Sequence, residues 1–134
     1  MKTRTIYITE KDHRRLIPIL EKLKEARDDV RVLREELEHA RIVPPEEVPP
    51  DVITMNSKAR LRDLDTGEVM TYTLVYPRDA RVEEDRISVA APIGTAMLGQ
   101  RVGDEVEWQV PAGALRLRVE EVLYQPEAAG DFHL

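Results

Sequence analysis

The chain has no cysteine. A disulfide framework and a thiolate-held metal are therefore excluded, and the core must hold without covalent staples. Aromatic residues make up only 4% of the 134 positions, so the interior has to be built from Val, Ile and Leu. No apolar run approaches the roughly 20 residues of a membrane-spanning helix. The opening "MKTRTIYITEKD" also lacks the hydrophobic centre of a signal peptide. A cytoplasmic protein without membrane contact is the expectation. Histidine is scarce too: His13, His39 and His133 lie in separate segments, none with the H-E-x-x-H spacing of a zinc site. Ser57 and Ser88 have no nearby His and no G-x-S-x-G elbow, so neither reads as a nucleophile. No metal and no cofactor is expected.

What is present suits one ordinary domain, or a small domain with an appendage: 42% hydrophobic and 34% charged residues. The net charge of −6 is unevenly placed. Residues 1–50 carry 11 basic and 11 acidic side chains, and residues 51–134 carry 9 and 15. An acidic globular part lacks the basic footprint of a nucleic-acid binder, so direct DNA binding is not expected, and a basic protein surface is the more natural partner.

Along the chain, "TRTIYIT" alternates and is β-branched, which predicts a short strand or extended arm. Thr9 then caps a helix, with Asp12 in a capping-box-like position. Leu16, Leu20 and Leu23 form one apolar stripe, and Val30, Leu33, Leu37 and Ala40 a second. A single helix would leave this narrow stripe unburied, whereas two antiparallel arms cover each other. The expectation is a short antiparallel helical hairpin, a coiled coil with arms about 10–25 and 29–42, capped at Asp28 or Asp29 and kinked or loosened by Pro18. "VPPEEVPPDV" (43–52) predicts a semi-rigid extended connector that no helix can enter. The domains expected are thus 1–43, a connector at 44–52, and 53–134.

Beyond the connector the apolar period falls to two. Strands are predicted at about 56–64 and 68–76 around an Asp65-Thr66-Gly67 turn, near Ile87–Val89, and at about 104–110 and 115–124 around Pro111-Ala112-Gly113. Alternation puts Val106, Trp108 and Val110 on one face with Leu115, Leu117 and Val119, and counting from that turn sets Glu107 opposite Arg118. The fold class is α+β: an antiparallel sheet with one helix packed on it. Lys58, Arg60, Arg62, Arg116 and Arg118 line strand faces and read as a solvated face with cross-strand partners, or as a small basic patch. Met55, Met70 and Met97 read as core fillers. In the tail, Phe132 and Leu134 are the available anchors.

Two stretches could carry function. In "APIGTAMLGQRVGD" (91–104) the glycines do not make a phosphate loop. Gly99 is followed by Gln100 and Arg101, and Gly103 by Asp104, where a Lys and a hydroxyl would be required. Pro92 opens a short helix at 92–99 and Gly99 supplies its left-handed stop. The second stretch is the free end expected for the helical hairpin, where Glu25, Asp28 and Asp29 would cluster. Such oxygens can bind a hard cation such as Mg²⁺, or simply favour a helix N-terminus.

A helical hairpin, a proline-rich connector and "ISVAAPIGTAMLGQRVGDEVEWQVPAG" (87–113) together resemble the Gre family of transcription elongation factors. "VPPDVITMNSKARLRDL", "TLVYP", "APIG", "LGQRVGD" and "YQPEAAGDF" are similar to its Rnk branch. The resemblance implies an FKBP-like sheet with one packed helix. It implies RNA polymerase as partner, bound at the rim of its secondary channel by Ser88, Ala91, Pro92, Ile93, Gly94 and Met97. Gre factors tend to carry an acid or amide two residues before the proline, where this chain has Ala90. Gre arms are about twice as long as the 16-residue arm read here, which spans about 24 Å. The acid-rich Gre tip is not reproduced by "EARDD". The expectation is a monomeric, non-enzymatic factor that competes for the channel entrance without cleaving RNA. The alternatives are transcript cleavage through Glu25, Asp28 and Asp29, and, by fold analogy alone, a prolyl isomerase or chaperone.

Overall fold

The computed structural model describes residues 5–110 and 113–134. Strand β1 (Tyr7–Ile8) leads into α1 (Glu10–Leu23), a turn, α2 (Asp28–Glu38) and β2 (Arg41–Ile42). Thr9 caps α1, its hydroxyl accepting the Asp12 amide at 3.3 Å. Asp12 does not complete a capping box. It is buried, and its Oδ1 accepts the Tyr76 hydroxyl at 2.6 Å. The helix runs through Pro18, whose exposed position leaves the Arg14 carbonyl it cannot serve on the side open to water. Asp28 and Asp29 do not sit at the cap of α2, which is Arg27; they occupy its first turn, where their charge complements the helix dipole. The helix stops at Glu38 because the chain turns to pair β2 in parallel with β1, Tyr7 opposite Arg41 and Ile8 opposite Ile42. Neither this small sheet nor its parallel sense was expected.

The connector is less extended than its prolines suggested. Pro45–Glu47 form a single 3₁₀ turn, with Pro45 at the position where a missing N–H is harmless. The chain then dives inward through Val52, Ile53 and Met55, all essentially inaccessible.

The main sheet has five strands in the order β5-β4-β3-β7-β6: β3 (Lys58–Asp63), β4 (Val69–Val75), β5 (Arg86–Ser88), β6 (Glu105–Val110) and β7 (Gly113–Tyr124). Asp63 makes the β3–β4 turn, its Oδ1 accepting the amides of Asp65 and Thr66. The sheet is mixed rather than antiparallel. Between β4 and β5 the chain makes two 3₁₀ turns and a left-handed bend at Asp85, and β5 pairs parallel to β4, Thr73 opposite Arg86. The β6–β7 register also differs from expectation. Val110 pairs with Gly113, so the loop is two residues shorter than assumed, and Arg118 faces Glu105 while Glu107 faces Arg116. The Pro111-Ala112 turn and the burial of the Trp108 side chain lie outside the described residues.

One face of the sheet buries Ala59, Leu61, Leu74, Leu117 and Val119. On the opposite face the strand arginines are paired: Arg60 with Glu121, Arg62 and Arg118 with Glu120, and Arg116 with Asp65. Surface pairs of this kind contribute about 0–1 kcal/mol each. Helix α3 (Pro92–Met97) covers the buried face. So does the helical hairpin: Leu16, Leu20, Val30, Leu33 and Leu37 belong to one hydrophobic cluster with Met55, Leu61, Leu74, Val89, Met97 and Leu98. Each such side chain contributes roughly 1.5–3 kcal/mol by burial. The helical hairpin is therefore held along the body of the protein.

The tail is docked by polar anchors. Helix α4 (Pro126–Ala129) places Glu127 under the Thr54 hydroxyl at 2.7 Å, and the Gln125 amide donates to the Pro49 and Val52 carbonyls at 2.8 Å each. Phe132 and Leu134, the expected anchors, are 48% and 37% exposed. Among the described residues no helix is long and apolar enough to cross a membrane.

Candidate functional site

The loop between β5 and α3 is over-determined by its own hydrogen bonds. Val89 is fully buried and its amide donates to the Val75 carbonyl at 2.9 Å, continuing the sheet. The Ser88 hydroxyl accepts the Ala90 amide at 3.0 Å, and the Ser88 carbonyl accepts the Ala91 amide at 3.0 Å. Thr95, buried in α3, donates its hydroxyl back to the Val89 carbonyl at 2.7 Å. Gly94 lets helix and loop approach this closely: a Cβ there would sit 2.0 Å from the Ser88 carbonyl oxygen. Gly99, at φ +82°, ends the helix in the left-handed conformation and abuts Ile6, whose Cγ1 lies 2.7 Å from where a Cβ would be.

These contacts sort the loop residues read from the sequence into three groups. Pro92 is exposed, and Ala91 and Ile93 are half-buried, so these three present a small apolar ridge to the surroundings. Gly94 and Met97 face inward, Met97 being 2% exposed, and they shape the ridge without forming its surface. Ser88 is half-buried, and its hydroxyl is committed to the loop's own backbone.

The end of the helical hairpin lies against this loop. Arg27, which precedes α2, donates Nη1 to the Ala90 carbonyl and approaches the Thr95 hydroxyl with Nη2 at 3.4 Å. Its Nε and Nη2 hold both Asp29 oxygens, at 2.9 and 2.5 Å. The Arg27 guanidinium keeps the Asp29 carboxyl below the usual carboxylate range, and the Val30 amide adds a bond to Asp29 Oδ1 at 3.0 Å. Asp28 is 95% exposed and lies 3.7 Å from Arg31. Glu25 is exposed in the turn. The three acids thus do not converge, and among the described residues no group of three His, Asp or Glu is placed to hold a metal ion. The end of the hairpin is not free, contrary to expectation. The sequence reading passed over Arg27 and Thr95. Arg27 had a signal, as a cation inside an acidic turn, but its distant partners had none.

A second polar cluster lies where α1, the connector and the tail meet. Burial pushes both Asp12 and Glu127 above their ordinary values. The Tyr76 hydroxyl on Asp12 is pushed up as well, first by burial and then by the Asp12 charge. Arg15 lies over the Tyr76 ring, 5.4 Å from its centroid. His13, on the neighbouring turn of α1, donates Nε2 to the Leu37 carbonyl at 3.0 Å and ties the two helices together.

Comparison with known proteins bears on both halves. The family model "Transcription elongation factor, GreA/GreB, C-term" matches residues 46–124, and "Rnk N-terminus" matches residues 4–43. The chain is 45% identical over 136 aligned residues to "Regulator of nucleoside diphosphate kinase" of Escherichia coli K12, with all of both chains covered. It is 37% identical over 91 residues to GreA of Chlorobium phaeobacteroides, covering 67% of this chain and 57% of that protein. Among solved structures, a GreA/GreB factor from Nitrosomonas europaea superposes with a TM-score of 0.78 at 44% identity, covering 90% of this chain and 98% of that one.

Proposed function

Because the chain belongs to the GreA/GreB family of transcription elongation factors, on the branch that carries the Rnk N-terminus, we propose that it is an RNA polymerase-binding regulator that docks at the rim of the secondary channel and competes there with Gre factors without cleaving RNA. The docking surface is the Ala91-Pro92-Ile93 ridge, backed by Ser88, Gly94 and Met97. The observation that carries the reading is the rigidity of that ridge, fixed by Ser88, Thr95 and the close approach of Gly94. A loop already held in one conformation loses little entropy on binding.

Cleavage is opposed by the state of the acids. Stabilising charge at a reacting phosphate is a contact-range effect. Both Asp29 oxygens are taken by Arg27, and α2 lies along the protein's own core. Helix α1 has 14 residues, so it spans about 21 Å even if it swung free. An effect on nucleoside diphosphate kinase, the property named for the Escherichia coli relative, would then run through transcription.

The test uses stalled elongation complexes with labelled RNA. The protein alone leaves backtracked RNA intact, and added to a Gre factor it slows cleavage. Pro92→Ala, and more strongly Ile93→Asp, relieve that inhibition while the melting temperature holds. Magnesium-dependent cleavage by the protein alone, lost on Asp28→Ala and Asp29→Ala, would establish the cleavage alternative instead.

A further inference from the structure

We propose that Arg27 is the positioning residue of the docking ridge: its guanidinium, bridging Asp29 and the Ala90 carbonyl, fixes the peptide from which Ala91, Pro92 and Ile93 are presented, so that hairpin and loop form one recognition surface. The proposal rests on the docking reading above.

Arg27 stands before α2, where a capping side chain would accept from the free amides of the helix; a guanidinium has only donors and cannot, and no side-chain capping bond is made there. The guanidinium instead crosses to a loop 63 residues away in sequence. There it meets a residue whose own N–H is already held by the Ser88 hydroxyl, so Ala90 is clamped on both sides. Nη2 also reaches the hydroxyl that anchors α3 to Val89, linking the clamp to the helix. Asp29 gives the guanidinium its orientation. The carboxylate holds Nε and Nη2 in a two-pronged pair, which leaves Nη1 to face Ala90. A fixed planar fork is required, because three acceptors on different elements must be met at once. A lysine, with a single compact ammonium, cannot meet all three.

The surroundings keep the clamp in place. Val30, three residues along, is fully buried in the cluster that includes Val89 and Met97 from the ridge's own support. The backbone of α2 cannot drift relative to the loop without opening that packing. Arg27 itself is 33% exposed at its side chain, so its removal leaves a solvated gap.

The test compares Arg27→Ala and Arg27→Lys with Ile93→Asp in the full-length protein. The readouts are competition with a Gre factor for core RNA polymerase, and amide hydrogen exchange with thermal melting of the free protein. Arg27→Ala is expected to weaken competition about tenfold, the scale of one charge-assisted hydrogen bond lost. Exchange should quicken within residues 90–96 while the melting temperature changes little. Arg27→Lys should not restore competition. The double variant Arg27→Ala with Ile93→Asp should compete no worse than Ile93→Asp alone, because Arg27 acts through the ridge. If Arg27→Ala or Arg27→Lys competes like wild type while Ile93→Asp does not, the positioning role is wrong and the docking reading stands. If Ile93→Asp also competes like wild type, the docking reading itself fails. Additive losses in the double variant would make Arg27 an independent contact and overturn the proposal as well.

Discussion

Replacing Gly94 by alanine tests the packing of helix on loop with a single methyl group. The added Cβ would lie 2.0 Å from the Ser88 carbonyl oxygen, 2.8 Å from its carbon and 3.0 Å from Val89 Cα. All three are backbone atoms. The oxygen is more than an ångström inside ordinary contact, and neither partner is free to yield. The Ser88 carbonyl accepts the Ala91 amide, and Val89 is bonded to Val75 and fully buried. Either α3 lifts off the loop or the Ser88–Ala91 bond breaks. Overpacking of this kind costs about 1–3 kcal/mol. The higher helix propensity of alanine acts the other way by at most about 1 kcal/mol, and less at the third position of a short helix. For a chain of this length the remainder, about 1–2 kcal/mol, lowers the melting temperature by roughly 3–8 °C. The same displacement moves Pro92 and Ile93, so competition with a Gre factor should fall further than stability alone accounts for. Calorimetry and the cleavage-inhibition assay check the two effects. A Gly94→Ala protein that melts at or above the wild-type temperature would refute the close packing, and one that melts lower yet competes normally would refute the link between that packing and docking.

Leu33→Ala should destabilise the whole protein by about 2–5 kcal/mol in one cooperative transition, because Leu33 shares its cluster with the sheet; two separate calorimetric transitions would show the hairpin to be an independent unit. Stability should also depend on pH through Asp12 and Glu127. Their folded pKa values are raised by burial, so the folded chain holds protons that the unfolded chain releases. Their contribution is greatest below the unfolded values, about 4, and is lost as pH rises through the folded ones. Asp12→Asn, which keeps an acceptor for Tyr76, should flatten the fall in urea midpoint from pH 4 to 7, and an unchanged slope would exclude Asp12 as a source. Asp29, Glu21 and Glu120, held below their usual values by Arg and Lys partners, act in the opposite sense at the acid end. Finally, the amides of α2 should stay protected from exchange when polymerase is bound, and their exposure in the complex would mean that the hairpin leaves the body.

Local chemistry was legible in the sequence and long-range geometry was not. Thr9 as a cap, the stripes through Leu16, Leu20, Val30, Leu33 and Leu37, and Pro92 and Gly99 bounding a short helix all rest on rules that act within a few residues, and each appears as read. The same stripes say which face is buried but not against what. Two helices covering each other and two helices covering a sheet require the same spacing. Alternation in Ile87–Val89 reports burial and carries no information on strand direction, so the parallel pairing of β5 was hidden. The β6–β7 register turned on two residues of loop length. In the loop at 88–97 the sequence marked the segment but not its division. Met97 and Gly94 turn inward because a helix of six residues on a sheet must bury one side, while Pro92 is left outside. Arg27 stood out as a cation inside an acidic turn, but its role was illegible because its distant acceptors, a backbone carbonyl and a threonine hydroxyl, have no sequence signature.

The packing of the hairpin also sets an energy scale for mechanism. A factor that works by inserting its helices must first lift them from wherever they rest. Here that means exposing at least part of the Val30, Leu33 and Leu37 stripe, each essentially inaccessible in the folded chain. At roughly 1.5–3 kcal/mol for each side chain, returning the three to water costs about 5–9 kcal/mol, before the Arg27 contacts are counted. Nanomolar binding corresponds to about 12 kcal/mol in all. Insertion would therefore consume about two-fifths to three-quarters of a strong affinity, with only a short arm to make new contacts. Docking through a ridge that is already formed has no such cost, and it leaves the hairpin to act as the buttress of the ridge. A long-armed factor with an exposed tip and this short-armed one can thus share a docking site and differ in what they deliver to it.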